Sequence, residues 1–303
     1  MSMESFIMER AASLGFAAAG IAKAGASRSF ARYREWLDAG MHADMSYLAR
    51  RAQERETPAA LLPSARSVIV AAARYPSRGG SRWYSAYAQG RDYHDVLRVR
   101  LRTLADEIAA RAPRPVRSRV CVDTAPLLER EWAVRAGLGW LGRQNCLVVP
   151  AAGCCVFLGV LLLDLELEAS LEKPSQCGNC RLCLEACPTG ALRPDGFLDA
   201  RVCRSYLSIE HAGALPAGPG AGLAGTLYGC DACTACCPWN SRGEHLVLPE
   251  FRPMTQLPDP DQVMRLSAGG FDRVFSESPV HRIGLERLRR NARAALAAET
   301  GVT

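Results

Sequence analysis

Cysteine spacing constrains this chain more than any other feature. Cys177, Cys180, Cys183 and Cys187 read C-x2-C-x2-C-x3-C and close on Pro188, while Cys230, Cys233 and Cys237 read C-x2-C-x3-C and close on Pro238, with Cys203 between. From Pro174 to about Arg242 the chain is rich in cysteine, glycine and proline and shows little apolar periodicity, so bound metal is expected to hold its loops together. Zinc accepts paired C-x-x-C knuckles, but one tetrahedral ion needs only four ligands and seldom takes this longer run. Disulfides suit small secreted domains with even thiol counts, whereas this chain has 303 residues and 13 cysteines. Cysteine here signals metal.

In two-cluster ferredoxins, spacing of this kind puts the first three cysteines of the long run on one [4Fe-4S] cube and sends the fourth across to the other. The expected ligands are Cys177, Cys180, Cys183 and Cys237 for cluster A, and Cys187, Cys203, Cys230 and Cys233 for cluster B. Each oxidised cube with its thiolates carries about −2, which brings the formal +6 of the polypeptide to about +2. Global charge is then weak evidence for a nucleic-acid partner. The other thiols, Cys121, Cys146, Cys154, Cys155 and Cys236, read as small buried apolar residues.

Length predicts more than one unit. We expect an α/β unit over 1–170, a ferredoxin-like unit over 171–245 and a C-terminal helical segment over 246–303, α+β / α/β in class. Helical spacing covers residues 2–15, and a strand follows at Ala17–Ile21. Ser27 is placed to cap a helix through Leu37. Beyond it come a strand at Ser67–Ala73, a helix at His94–Ala110, a strand at Arg119–Val122 and a helix at Pro126–Ala136. Cys146–Leu163 is uncharged and long enough for a marginal membrane span, yet Pro150 and Gly153 interrupt it, so two buried strands fit better. The acidic opening lacks the basic flank of a signal peptide, which predicts a cytoplasmic protein with no membrane partner. Ala212–Gly225 reads as a flexible excursion, and Pro258–Gly270 and Pro279–Ala298 as helical.

Asp123 falls where a strand stops and a helix begins, a place where α/β folds hold reactive groups; taken alone, Asp before a Pro-initiated helix reads as an N-cap. The stretch Asp123-Thr124-Ala125-Pro126-Leu127-Leu128-Glu129-Arg130, followed by Ala136-Gly137-Leu138-Gly139-Trp140-Leu141-Gly142-Arg143-Gln144-Asn145, resembles the signature of the epoxyqueuosine reductases. So do Met45-Ser46-Tyr47-Leu48, Gly90-Arg91-Asp92-Tyr93-His94, the run from Cys203 to His211, and the run from Tyr228 to Asn240. The resemblance extends to about Asn291. It implies reduction of epoxyqueuosine to queuosine at the wobble position of tRNA. Cobalamin and two [4Fe-4S] clusters would serve that reaction, with an external low-potential electron donor feeding the cubes and a reduced cobalt centre attacking the epoxide. Asp123 would deliver the proton, which calls for a pKa raised by burial beneath the corrin. Arg55, Tyr93 and Asn145 are further candidates for cobalamin contact, with plainer readings as a solvated turn, a packing residue and a turn former. A monomer is expected.

Gly137, Gly139 and Gly142 satisfy G-x-G-x-x-G, but they follow a helix and lead into a strand, the reverse of a dinucleotide loop. The resemblance recasts them as backbone close to cobalamin. Arg282, Arg289 and Arg293, with Arg287 and Arg290 beside them, are the candidate phosphate-contacting face. Many family members continue into helical repeats, whereas this chain stops at Thr303, so a looser grip on tRNA is expected. Arg143 stands where lysine is common, and Gly153–Val160 lacks the usual aromatic and carboxylate. Two other readings share the cysteine array. A small-molecule reductase of the reductive dehalogenase type conflicts with the Asp-Thr-Ala-Pro segment, and a non-catalytic ferredoxin-like carrier leaves most of the chain unexplained.

Overall fold

The computed structural model describes residues 1–215, 223, 225–254 and 256–299. The first part runs α1 (Met3–Ser13), β1 (Ala18–Lys23), α2 (Phe30–Asp38), α3 (Ser46–Arg50), β2 (Ser67–Arg74), α4 (Tyr93–Arg111), β3 (Ser118–Cys121), α5 (Glu129–Arg135), β4 (Trp140–Leu141), β5 (Leu147–Val148) and β6 (Val156–Leu163). The cluster region carries α6 (Leu182–Glu185), α7 (Arg204–Ile209) and α8 (Ala232–Ala235), and α9 (Pro260–Arg265), α10 (Ala268–Phe275) and α11 (Gly284–Glu299) follow.

Strands β1, β2, β6 and β3 lie side by side in that order, and every neighbouring pair is antiparallel. Of the two forms of mixed class expected, this is the α+β one, and it has no parallel switch point of the kind that binds dinucleotides. Strand β2 reads Ser-Val-Ile-Val-Ala-Ala-Ala-Arg without alternation because it is buried throughout. Ile69 and Ala71, with Leu161 and Leu163, share a core with Ile7 of α1 and Leu97, Leu101 and Leu104 of α4. On the opposite face Val68 and Val70, with Val160 and Leu162, meet Trp132 and Ala133 of α5. Each fully buried Leu or Ile contributes about 2 kcal/mol, so the central strands are the firmest base for whatever their ends carry.

Several local expectations change. Cys146–Leu163 does form two buried strands, but β5 pairs with β4 whereas β6 joins the main sheet. Among the described residues no helix is long and apolar enough to cross a membrane. Helix α5 starts at Glu129 rather than Pro126, because Asp123 takes a left-handed φ of 57° and an irregular turn follows it. Asp123 is therefore not its N-cap. Ser27 does not cap α2 either; its hydroxyl, like that of Ser29, donates to the Glu131 carboxylate. Residues 216–222 and 224, within the Ala212–Gly225 excursion, lie outside the described residues.

Buried polar groups join the cluster region to the sheet. Arg74, fully buried at the end of β2, donates to Asn240 O at 3.0 Å and to Ala152 O, and reaches the Glu244 carboxylate. Asn240 accepts from Cys154 N at 2.8 Å and donates to Thr234 O at 2.7 Å. The carboxylate of Asp231 accepts from Ala86 N at 2.6 Å and from the Ser85 hydroxyl. The C-terminal helices share a core with Trp83, Tyr84, Leu227 and Tyr228, and buried Asn291 donates to Ser208 O and Leu227 O at 2.8 and 2.7 Å. Arg74→Met would strand two buried carbonyls and is expected to cost roughly 3 kcal/mol. Chemical unfolding of the holo-protein measures this, and an unchanged midpoint would refute the strut.

Candidate active site and cluster ligands

All thirteen cysteines are free. Several thiols within each expected ligand set lie near one another. Burial pushes the Cys233 thiol up, and the neighbouring Cys146, Cys230, Cys203 and Cys187 push it further. Burial likewise raises Cys203, with Cys187 beside it. The other set gathers around Trp140, whose indole N–H donates to Cys177 Sγ at 3.3 Å and whose ring packs edge-on against Trp239, 4.9 Å away. Cys237 bonds Cys154, and Cys183 lies near Cys180 and Cys236. Among the described residues no three Cys, His, Asp or Glu side chains converge closely enough to hold a single ion, so the arrangement is adjacency of sulfurs rather than a closed mononuclear cage. Of the thiols expected to be plain buried residues, Cys121, Cys154 and Cys155 are buried, but Cys146 and Cys236 are only partly so and adjoin cluster ligands.

At the end of β3, the backbone N–H of Asp123 donates to Glu129 Oε1 at 2.8 Å, which holds the left-handed turn. Its carboxylate meets His94 Nε2 at 3.2 Å and also bonds the Tyr93 side chain. His94 Nδ1 in turn meets Asp92 at 2.7 Å, and Asp92 caps α4 by accepting from His94 N at 2.9 Å. Tyr93 is fixed by stacking on Phe157 of β6, with centroids 4.3 Å apart and planes 7° apart. The firm sheet thus aims a loop carboxylate at a histidine clamped between two acids.

Burial opposes the charge on His94, but the Asp123 and Asp92 carboxylates outweigh it and lift the imidazole to about 9. Burial would raise Asp123, yet the bond and charge of His94 prevail and lower it. The raised pKa expected of Asp123 belongs to a site covered by the corrin; in the open arrangement the proton rests on His94. Glu129 goes the other way, pushed up to about 8 by burial and by Asp123 beside it. His94 and Glu129 are therefore the groups that hold protons near neutral pH.

Residues 55–124 match the family described as Epoxyqueuosine reductase QueG, DUF1730, and residues 176–240 match a 4Fe-4S double cluster binding domain. The epoxyqueuosine reductase of Alicycliphilus denitrificans is 38% identical over 302 residues, covering 93% of this chain and 83% of that protein. The one from Gloeobacter violaceus is 40% identical over 96% of this chain and 95% of its own length. The chain belongs to the epoxyqueuosine reductase family. It is accordingly an oxidoreductase, and its cluster region is that of a double [4Fe-4S] protein. A crystal structure of epoxyqueuosine reductase with an epoxyqueuosine-modified tRNA-Tyr stem loop superposes with a TM-score of 0.88 at 31% identity, covering 98% of this chain and 81% of that one.

In this family member Tyr93 joins Asp123 directly. Arg55 is buried rather than a solvated turn residue, donating to Arg51 O at 2.9 Å. Its charge reaches Tyr47, whose hydroxyl burial raises to about 12 and which also feels Glu210, Arg282 and Asp123. Asn145 sits in the turn between β4 and β5. It takes a φ of 61°, donates from Nδ2 to Gly196 O at 3.1 Å and accepts from Arg130, so it ties the β4–β5 turn to the cluster region. The glycines after α5 have an internal reason: a Cβ on Gly139 would fall 1.9 Å from Val148 O, and one on Gly142 would strike Gln144.

The arginine face does not form as expected. Arg282 lies before α11 and pairs with Glu210; Arg289 donates to Leu266 O at 2.7 Å, and Arg290 to His211 O and Leu207 O, both at 2.7 Å. Arg293 is exposed. Sequence reasoning passed over Asp92, His94 and Glu129 as working groups although all three sit in the family-like stretches. The available signal was an acid two residues before a histidine at a helix start.

The His94 contact has a pH signature. The folded imidazole titrates near 9 against an ordinary value of 6.5, so its stabilisation is complete below about pH 6.5 and vanishes as pH rises through 9. Asp92 and Asp123, both lowered, contribute stability that is present above the ordinary carboxylate range and lost on acidification. The stability advantage of the parent over His94→Gln is therefore expected to be greatest at about pH 5 to 6.5 and to shrink above pH 9. Unfolding series across pH measure it, and a pH-independent difference would contradict the assignment.

Proposed function

We propose that this chain reduces epoxyqueuosine to queuosine in the anticodon of tRNA, as a cytoplasmic monomer, with cobalamin over Asp123 and an external low-potential donor feeding two [4Fe-4S] clusters. The observation that carries the reading is the Asp92–His94–Asp123 chain with Tyr93 and Glu129, built on the sheet of a family member that matches a double 4Fe-4S domain. The proposed ligands are Cys177, Cys180, Cys183 and Cys237 for cluster A, and Cys187, Cys203, Cys230 and Cys233 for cluster B. Four reduced thiols per set supply the donor chemistry that an iron–sulfur cube takes.

The site also fits a large ring system. Asp123 is 58% exposed and Tyr47 44% exposed, and Tyr47 feels the Asp123 charge, so the two present neighbouring surface open to a cover. Both nitrogens of His94 are committed to carboxylates, so no histidine there is free to ligate a metal from below. When bound, cobalamin would supply a low-potential, nucleophilic metal centre for the reduction, held over Asp123.

Converting an epoxide to an alkene consumes two electrons and two protons and releases the oxygen as water. Tyr93 and His94 hold the Asp123 carboxyl in place, and Glu129 holds its backbone. Covering the recess strips water from the His94–Asp123 ion pair, which favours the neutral pair and moves the proton towards Asp123. Asp123 then delivers that proton to the departing oxygen.

Anaerobic holo-protein is expected to contain about eight iron and about eight sulfide per chain, and Cys203→Ala to disturb one cube only. Corrinoid analysis and a tRNA nucleoside assay on the same sample test the rest. Asp123→Asn retains size but not the acid, so turnover is expected to fall by roughly 10²-fold or more with cofactors still bound. Near-parental turnover would remove Asp123 from the chemistry.

A further inference from the structure

We propose that the surface over cluster A is the docking site of a small acidic one-electron carrier protein, through which electrons enter the enzyme. The inference rests on the cluster ligands assigned above. Cys180 is the one exposed thiol of the eight; Cys177 and Cys237 are partly shielded and Cys183 is buried, while Cys187, Cys203, Cys230 and Cys233 are all partly shielded. Cys203 packs beside Ala43 and Met45, and that segment leads into Tyr47 in the Asp123 neighbourhood. Cluster A is thus the outer cube and cluster B the inner one.

Three exposed arginines surround the outer loop. Arg143 donates to Gly178 O at 2.9 Å, Arg181 directly follows Cys180, and Arg242 lies 4.4 Å over the ring of Trp239, which packs on the Trp140 that donates to Cys177. Other surface arginines such as Arg51, Arg66, Arg193 and Arg201 are paired with carboxylates. These three have no carboxylate partner among the described residues. Glu244, two residues from Arg242, and Glu185, on α6, are the exposed acids nearest to them in sequence; Glu244 is paired with Arg74, so the patch stays net positive. Leu141 and Leu182, in the same segments, are 46% and 47% exposed. Apolar side chains within a basic rim suit a protein partner, because phosphate contacts need only the cations. A cleft of about 470 Å³ opens beside Cys236 and Cys237, so a carrier seated there reaches the fourth cluster A ligand.

Each encounter passes one electron, leaving the carrier oxidised by one and the cluster reduced by one. Two encounters supply the pair that the epoxide consumes. Opposite charge raises the encounter rate and makes it sensitive to salt.

The test follows cluster absorbance in a stopped-flow instrument, mixing anaerobic holo-enzyme with reduced flavodoxin as the acidic carrier and, separately, with dithionite. Arg181→Glu with Arg242→Glu is expected to slow reduction by flavodoxin about tenfold or more at low ionic strength and to flatten its salt dependence. Reduction by dithionite and the electron paramagnetic resonance of both cubes are expected to stay unchanged. Leu141→Asp with Leu182→Asp provides an independent variant with the same expected selectivity. Parental flavodoxin rates in both variants at full iron content would overturn the proposal. So would equal slowing towards dithionite in both, or weakened binding of a tRNA stem loop with flavodoxin rates intact, which would mark a nucleic-acid surface. Parent protein lacking about eight iron would instead sink the cluster assignment, and this proposal with it.

Discussion

Cys187 belongs by sequence to the first cysteine run but by position to the second, where it adjoins Cys203 and Cys233. Cys237 crosses the other way, towards Trp140 and Cys177. Under the proposed crossed ligation, neither run would close its cube alone, and each cube would tie residues before 190 to residues after 229. Sparse apolar packing is enough under those conditions. Binding of the clusters then supplies folding free energy for a region whose own helices α6 and α8 are a single turn each.

The same crossing fixes the cluster region against the sheet. Asn240, just past Cys237, bonds Cys154 N ahead of β6, and Arg74 at the end of β2 grips Asn240 O. Phe157 of β6 carries the ring of Tyr93, which holds Asp123. A short sequence of rigid contacts therefore links a cluster ligand to the proposed acid. Electron delivery and proton delivery rest on one pair of adjacent strands, and their mutual geometry is set by buried backbone and aromatic contacts rather than by mobile loops.

Long elements were legible because their burial is one-sided or complete: α1, α4 and the apolar runs of β2 and β6 all lie near their expected limits. Strand direction was not, since a strand covered on both faces loses the alternation that distinguishes an antiparallel sheet. The start of α5 was misplaced because Pro126 imitates a helical first turn, while the real determinant is Glu129 reaching back to Asp123 N. The double-cluster character of residues 176–240 was legible from cysteine spacing because the geometry of iron–sulfur ligation imposes it. Arg289 and Arg290 were not, because cations on a helix look alike in sequence whether they face phosphate or cap backbone carbonyls, as these two do.

The protonation of the Asp123 recess makes chemical sense only if it depends on cover. Open to water, a His94–Asp123 ion pair is the favoured form, and a carboxylate with a lowered pKa is a poor acid. Excluding water penalises both charges together, while passing one proton across their 3.2 Å contact removes both. Asp92 on the far ring nitrogen orients the imidazole for that transfer, and Glu129, kept near 8, adds no second full negative charge beside Asp123 at neutral pH. The acid is thus armed by the arrival of the groups it serves.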